Sequence, residues 1–221
     1  MKDLVLYIHG KGGSVAESER YRPLFPGSEV IGLDYQTFSP WETGGEIFDA
    51  VTRLKDRFES ITLIANSIGA FFSMSAGING LIDQAYFISP IVDMERLICD
   101  MMSWAQVTEK QLKEKGVIST AFGEDLSWDY LCYVREHPVH WNVPTEILYG
   151  KKDLYGPLMI SQCRPDDQNA KKMTEFTEFL CFDYTVLKRS EICTDRNTVQ
   201  PSISLKQTVP LCKQHILHPF F

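Results

Sequence analysis

The chain has 221 residues, a formal net charge of −7 at pH 7 and a hydrophobic fraction of 44%. Such a length and composition predict one folded domain, residues 1–221, with a substantial core. The acidic balance argues against nucleic-acid or membrane partners, because both need a basic protein surface. Six cysteines without a Cys-x-x-Cys pair indicate neither a zinc module nor a disulfide framework. We therefore expect reduced thiols in a cytoplasmic protein. The apolar runs of the sequence also predict no targeting segment and no membrane-spanning helix.

Short apolar runs alternate with helical patterns over the first two thirds of the chain. Strands are predicted at residues 4–8, 29–35, 61–65, 85–89 and 146–149. Helices are predicted at residues 15–25, 46–59 and 68–78. Strands that alternate with helices predict a doubly wound, mostly parallel α/β sheet.

Two segments depart from this alternation. Residues 91–143 have helical patterns at 94–107, at 108–115 and after Ser127, and show no clear strand. An insertion of this kind between two strands predicts a helical cap over the strand ends. Residues 154–221 form an atypical C-terminal segment with a single glycine, no tryptophan and weak periodicity.

A serine stands where the third predicted strand meets the following helix. The sequence Ala65-Asn66-Ser67-Ile68-Gly69 matches the nucleophile-elbow pattern G-x-S-x-G, with Ala65 at the first glycine. The turn is so sharp that larger side chains two positions before or after the serine would collide with neighbouring elements. This turn would place the Ser67 hydroxyl at the carboxyl edge of the sheet, where the N–H of Ile68 faces a developing oxyanion. The competing interpretation is a serine that only caps the helix.

A glycine-rich turn, His9-Gly10-Lys11-Gly12-Gly13, follows the first predicted strand. Its spacing fits neither the dinucleotide fingerprint nor the phosphate loop G-x-x-x-x-G-K-[ST]. We therefore predict the second half of an oxyanion hole, with the N–H donated by Lys11 or Gly12. His9 is expected to hydrogen-bond the loop rather than to act as a base.

A third candidate residue, Asp153, comes three residues after Gly150 and follows the last predicted strand. An aspartate at this edge can orient a catalytic histidine and stabilise its charged form. The alternative is a solvated turn aspartate, because the sequence Lys151-Lys152-Asp153 is also ordinary for a protein surface.

Together the three motifs resemble the α/β-hydrolase superfamily, in particular its small members with a helical cap, over residues 1–153. His9-Gly10 matches the family's oxyanion loop, Ser67 with its neighbours the elbow, and Gly150-x-x-Asp153 the acid-bearing turn. The resemblance implies a serine hydrolase that cleaves an ester, thioester or amide of a small acyl substrate, without a metal or organic cofactor. A serine nucleophile disfavours the family's dehalogenases, which use aspartate, and its dienelactone hydrolases, which use cysteine. Some family members carry the acid after the preceding strand, which makes Asp93 the alternative to Asp153.

The family pattern also requires a histidine after the aspartate, in the chain order Ser, Asp, His. Of five histidines only His215 and His218 follow Asp153. We predict that His215 is the catalytic base, and the alternative is that neither tail histidine has a catalytic role. The chain would then be an impaired α/β-hydrolase-like binding protein. Residues 154–221 would in that case replace the family's usual C-terminus, for example after a change of reading frame.

Apolar side chains of the inserted segment are candidates for the substrate site. Among them we single out Met101, Trp104 and Trp128 as substrate-binding residues. The equally open alternative is that they only pack the insertion against the sheet. We expect a small-molecule substrate, and the oligomeric state is left open.

Overall fold

The structure, a computed structural model, describes residues 2–148. Its strands are β1 (Lys2–Ile8), β2 (Glu29–Leu33), β3 (Phe58–Asn66), β4 (Gln84–Ile88), β5 (Val117–Ser119), β6 (Asp125–Ser127) and β7 (Thr145–Leu148). Its α-helices are α1 (Pro40–Lys55), α2 (Ile68–Ser75), α3 (Met94–Trp104), α4 (Glu109–Lys115) and α5 (Trp128–Glu136). A 3₁₀ helix (Val15–Leu24) connects β1 to β2 where the sequence predicted a regular helix.

Five strands form the central sheet in the order β2-β1-β3-β4-β7, and every pair is parallel. The predicted doubly wound parallel α/β sheet is therefore confirmed. The chain leaves β1 toward β2 and leaves β3 toward β4, in opposite directions across the sheet. The loops after β1 and β3 consequently flank the topological switch point, where open α/β sheets bind their ligands.

Apolar side chains cover the two faces of the sheet separately, because a parallel sheet is packed on both sides. On one face, Leu6 and Leu63 pack with α1, α2 and the inserted segment. On the other face, Tyr7 and Ile64 pack with Tyr21 of the 3₁₀ helix and its neighbours. The strands are continuously apolar for this reason, as the sequence predicted for β1.

Helix α1 begins at Pro40, six residues before the predicted start at residue 46. Its first turns hold Thr43 and Gly44, which are buried although neither is strongly apolar. Their presence hides the helical period from a hydrophobicity pattern. The proline suits the start of the helix because its missing N–H would have no partner there.

The segment between β4 and β7, residues 91–143, is called the cap segment below. It holds α3, α4 and α5 near the predicted positions, with Thr108 and Ser127 capping α4 and α5. The expectation that it contains no strand is wrong, because β5 and β6 form an antiparallel hairpin. Each hairpin strand has three residues and together they bury one side chain, Leu126, which is too little for an alternating pattern to show.

No helix of residues 2–148 is long and apolar enough to cross a bilayer.

Candidate active site

Ser67 adopts a strained backbone conformation, with φ at +53° and ψ at −120°. Within residues 2–148 it is one of three non-glycine residues with a positive φ. Conformations of this kind cost about 1–3 kcal/mol each and persist where the surrounding structure determines them. The side chain is partly exposed and makes no capping hydrogen bond with α2. The interpretation of Ser67 as a simple helix cap is therefore wrong.

Backbone hydrogen bonds hold Ser67 in this conformation. Its N–H donates to the carbonyl oxygen of Ile88 at the end of β4, at 2.9 Å. Its own carbonyl oxygen accepts from the N–H groups of Ala70 and Ile91, both at 3.2 Å. The elbow is thus fixed both to its own helix and to the chain that leaves β4.

Gly69 allows the elbow to pack against β1. A Cβ atom at this position would lie 2.4 Å from the carbonyl oxygen of His9 and 2.9 Å from that of Ile8. Both neighbours are backbone atoms, which cannot move aside as a flexible side chain can. Ala65, on the other side of the serine, is fully buried. The small residues of the sequence motif therefore have the steric role that the pattern predicted.

The loop after β1 lies directly against the serine. A Cβ atom at Gly10 would lie 3.2 Å from Ser67 Cβ. The N–H of Gly13 donates to the carbonyl oxygen of Gly10 at 3.1 Å, and Gly12 has a φ of +71°. A positive φ at the third residue of a turn is what a type II turn requires.

Three backbone N–H groups near Ser67 have no acceptor among the described residues. Two belong to Lys11 and Gly12 in the turn. The third belongs to Ile68, which is the first residue of α2 and has no acceptor within the helix. These are the N–H groups that the sequence predicted for an oxyanion hole, and the fold brings their loops together.

His9 is a buried residue whose side chain contacts the backbone of the loop after β1. Its side chain is 4% exposed, and its Nδ1 lies 2.8 Å from the carbonyl oxygen of Gly10. The ring stacks on Tyr35 with centroids 4.2 Å apart, and the Tyr35 hydroxyl donates to the His9 carbonyl oxygen at 2.7 Å. The prediction that His9 hydrogen-bonds the loop is confirmed.

A polar contact beneath the elbow was not predicted from the sequence. The Tyr7 hydroxyl donates to Glu17 of the 3₁₀ helix at 2.5 Å. Burial is the main cause that raises the pKa of Tyr7, with Tyr21 and Glu17 adding to it, while a hydrogen bond from Asn66 opposes the rise. The phenol therefore stays protonated and joins the 3₁₀ helix to β1. The signal that could have indicated this contact in the sequence is a tyrosine in an otherwise aliphatic buried strand.

The predicted acid and base lie at positions that the structure does not describe. Asp153, His215 and His218 are all outside residues 2–148. The last described residue, Leu148, pairs with Ile88 in the sheet, so β7 ends at the same edge as the elbow. The alternative acid, Asp93, caps α3 by accepting a hydrogen bond from the N–H of Arg96 at 2.9 Å.

The three predicted substrate-binding residues make contacts with the cap segment or the core. Met101 packs against the main apolar core. Trp104 meets Phe122 edge to face at 6.2 Å, and the Trp128 ring lies 5.5 Å from Lys113 Nζ. Their role in substrate binding stays a prediction.

One ion pair connects the cap segment to the predicted oxyanion loop. Lys11 Nζ pairs with Glu124, which stands just before β6 in the hairpin. Because Lys11 follows β1, this contact sets the hairpin turn beside the carboxyl edge of the sheet. No group of three or more His, Cys, Asp or Glu side chains within residues 2–148 is arranged to hold a metal ion.

Solved structures are similar to this chain in fold, although no protein-family model and no curated protein sequence matches the chain. The structure is similar to alpha/beta hydrolase domain-containing protein 10 from mouse, with a TM-score of 0.53, 16% identity, and coverage of 79% of this chain and 77% of that one. A lipase from Bacillus licheniformis matches with a TM-score of 0.46, 14% identity, and coverage of 68% and 66%. A soluble variant of monoglyceride lipase from Saccharomyces cerevisiae matches with a TM-score of 0.46, 12% identity, and coverage of 78% and 76%. The likeness to the mouse protein, together with the parallel sheet and its order, shows that the chain has the α/β-hydrolase fold.

Proposed function

We propose that the chain is a serine hydrolase in which Ser67 attacks the acyl carbon of an ester, thioester or amide of a small acyl substrate. The observation that carries the proposal is the conformation of Ser67, which has a positive φ and leaves its hydroxyl unused by the helix. Strained residues of this kind cluster at functional sites. The serine also stands at the switch point of the sheet, where ligands of this architecture bind.

The N–H of Ile68 and that of Lys11 or Gly12 hold the oxyanion in this proposal. Support comes from the contact of Gly10 with Ser67 and from the lack of an acceptor for these groups within residues 2–148. Removing one such donor costs about 2.7–4 kcal/mol of transition-state stabilisation in a serine hydrolase. The positive end of the α2 dipole adds to the stabilisation of negative charge.

The proton of Ser67 passes to His215 as the serine oxygen bonds to the acyl carbon. His215 then gives the proton to the leaving group as the carbon–oxygen, carbon–sulfur or carbon–nitrogen bond breaks. Water enters with the same histidine as base and releases the acid from Ser67. Asp153 orients the imidazole. These two roles rest on the order of residues along the chain and on the family resemblance.

A second candidate function is that of a binding protein with the hydrolase fold but no catalytic base. The observation that favours it is that no histidine ring within residues 2–148 hydrogen-bonds Ser67. His9 bonds Gly10, His137 bonds the carbonyl oxygen of Tyr133 and stacks on its ring, and His140 is an exposed residue of the cap segment. If the chain has a histidine base, that base is His215 or His218. Loss of the histidine lowers kcat by about 10⁶ in subtilisin and leaves about 10³–10⁴ over water.

Labelling with a fluorophosphonate probe separates the two functions. We expect the wild type to be labelled and Ser67→Ala to stay unlabelled, because the probe needs an activated serine. Ser103→Ala removes an exposed serine of α3 and should be labelled like the wild type. A folded wild-type protein that takes up no probe would contradict the hydrolase proposal and favour the binding protein.

The same assay tests the base. We expect His215→Ala to lower both the labelling rate and kcat for a 4-nitrophenyl ester by several orders of magnitude, and His218→Ala to leave both near the wild-type values. The reverse result would assign the role to His218. Unchanged rates in both variants would show that neither histidine is the base.

A further inference from the structure

Five aromatic side chains come from the loop after β2, the start of α1 and helix α5 of the cap segment. We call Tyr35, Phe38, Trp41, Tyr130 and Tyr133 the aromatic wall. Ring centroids lie 5.7 Å apart for Tyr35 and Phe38, 6.0 Å for Trp41 and Tyr130, and 5.4 Å for Trp41 and Tyr133. Phe38 and Trp41 remain 47% and 46% exposed. A contiguous patch of exposed apolar side chains is typical of a binding site.

The wall adjoins the candidate active site from two directions. Tyr35 stacks on His9 and donates to its carbonyl oxygen, the atom against which Gly69 of the elbow packs. On the cap side, Tyr130 stands in the first turn of α5, directly after the strand that begins next to Glu124. Glu124 pairs with Lys11 of the predicted oxyanion loop. Tyr35 therefore connects the wall to the elbow, and Tyr130 follows the hairpin that contacts the predicted oxyanion loop.

Hydrogen bonds hold the loop that displays Phe38. Glu46 of α1 accepts from the Thr37 hydroxyl at 2.6 Å and from the N–H of Gln36 at 3.1 Å. The hydroxyl of Thr43, which is completely buried, donates to the carbonyl oxygen of Thr37 at 2.7 Å. These contacts fix the backbone directly before an exposed ring. A ring displayed by a fixed loop binds a ligand with little loss of conformational entropy.

Tyr130 brings an unused polar group to the wall. Its hydroxyl oxygen is buried and has no hydrogen-bond partner among residues 2–148. A buried unpaired hydroxyl is unfavourable, so an acceptor from a ligand would stabilise it. Burial, followed by the neighbouring phenols of Tyr133 and Tyr35, raises the pKa of Tyr130, so the hydroxyl is a donor at neutral pH. Trp41, a half-exposed ring, is in edge contact with the Tyr130 ring.

These observations deepen the proposed function and rest on it. We propose that the aromatic wall is the specificity subsite for an aryl acyl ester, whose ring stacks on Trp41 and carries an acceptor oxygen that bonds the Tyr130 hydroxyl. Aromatic rings attract one another in stacked or edge-to-face geometry beyond the burial of their area. A flexible aliphatic acyl chain of similar length gains neither the ring contact nor the hydrogen bond.

Three esters that share the same leaving group, 4-nitrophenolate, test this inference. They are the 3-(4-methoxyphenyl)propanoate, the 3-phenylpropanoate, which lacks the acceptor oxygen, and the octanoate, which lacks the ring. For the wild type we expect kcat/KM to be highest for the methoxy ester and about tenfold lower for the octanoate. Equal values for the three esters would overturn the inference and leave the proposed function intact, because hydrolysis itself would have been observed.

Variants assign the preference to particular side chains. Trp41→Leu should lower kcat/KM about tenfold for both aryl esters and at most twofold for the octanoate. Tyr130→Phe should reduce only the advantage of the methoxy ester over the phenyl ester, about threefold to tenfold. Phe48→Leu removes an equally exposed ring of α1 outside the wall and should leave the three values unchanged. If Trp104→Leu abolishes the preference and Trp41→Leu does not, the subsite lies in the cap segment and the wall has no role.

A direct measurement of ligand binding tests the subsite without requiring turnover. Calorimetry with Ser67→Ala measures Kd for the methoxy ester and the octanoate without hydrolysis. We expect the methoxy ester to bind about tenfold more tightly, and the difference to disappear in Ser67→Ala/Trp41→Leu. Equal Kd values in Ser67→Ala would contradict the subsite even in a protein that hydrolyses nothing. Circular dichroism confirms that each variant is folded.

Discussion

The elbow and the cap segment are held by different kinds of interaction. At the elbow, backbone hydrogen bonds fix Ser67, and a Cβ atom added to Gly69 or Gly10 would lie 2.4 Å from the His9 carbonyl oxygen or 3.2 Å from that of Asn66. Backbone atoms in a close-packed interior cannot move without disturbing the whole sheet. The backbone of Ser67 is therefore as rigid as the sheet itself.

The cap segment packs its apolar side chains into the main core, and charged side chains join its helices at the surface. Arg135 of α5 donates to Glu95 of α3 at 2.7 Å and to Glu109 of α4 at 2.7 Å and 3.1 Å. Lys11 and Glu124 attach the hairpin to the loop after β1. Exposed pairs of this kind contribute about 0–1 kcal/mol each. The comparison teaches that backbone contacts fix the groups proposed for chemistry, whereas each surface ion pair of the cap segment contributes little and tolerates change.

Gly69→Ala gives the largest effect that this comparison predicts. The new Cβ would lie 2.4 Å from the carbonyl oxygen of His9, so either β1 or α2 has to move. We expect a loss of about 3 kcal/mol or more in the free energy of unfolding, measured by urea denaturation, together with loss of probe labelling at Ser67.

Gly45→Ala is the matched control for this substitution. Gly45 lies inside α1, and a Cβ atom there meets no heavy atom within 4 Å. Alanine is the better helix former, so we expect the free energy of unfolding to rise by about 0.5–1 kcal/mol. Equal destabilisation by both substitutions would contradict the steric account of the elbow.

The elbow was predictable from sequence because its determinants are consecutive residues. Ala65, Ser67 and Gly69 need only a strand before them and a helix after them, and both appear in the hydrophobic pattern. The parallel sheet was predictable for the same reason, since each strand is a short apolar run. The hairpin of β5 and β6 was missed because it buries too few side chains to leave a pattern.

The aromatic wall was not predictable in this way. Tyr35, Trp41 and Tyr130 come from segments that the fold alone brings together, and no spacing in the sequence relates them. Met101 and Trp104 were predicted to bind substrate because they are large and apolar, a property that does not reveal what a side chain contacts. Asp153 and His215 lie beyond the described residues and stay predictions.

Arg135→Met should have an intermediate effect that is confined to the cap segment. The substitution keeps much of the aliphatic stem and removes the bonds that join α5 to α3 and α4. We expect a loss of about 1 kcal/mol in stability at low ionic strength and faster hydrogen exchange in α4, with a smaller loss in high salt. Arg53→Met removes an exposed arginine of α1 and should change neither measurement. Faster exchange in β3 as well would show that the sheet and the cap segment are not independent.

The ion pair between Lys11 and Glu124 should give the smallest effect. Both side chains are substantially exposed, at 58% and 36%, so water and salt screen their attraction. We expect Lys11→Met and Glu124→Gln each to change kcat/KM less than threefold, with a coupling free energy below about 1 kcal/mol in the double-mutant cycle. The change should appear in KM rather than in kcat, because the N–H of Lys11 is a backbone group that the substitution retains. A large fall in kcat would mean that the hairpin holds the oxyanion loop in place, and the sheet would then not suffice to position the proposed catalytic groups.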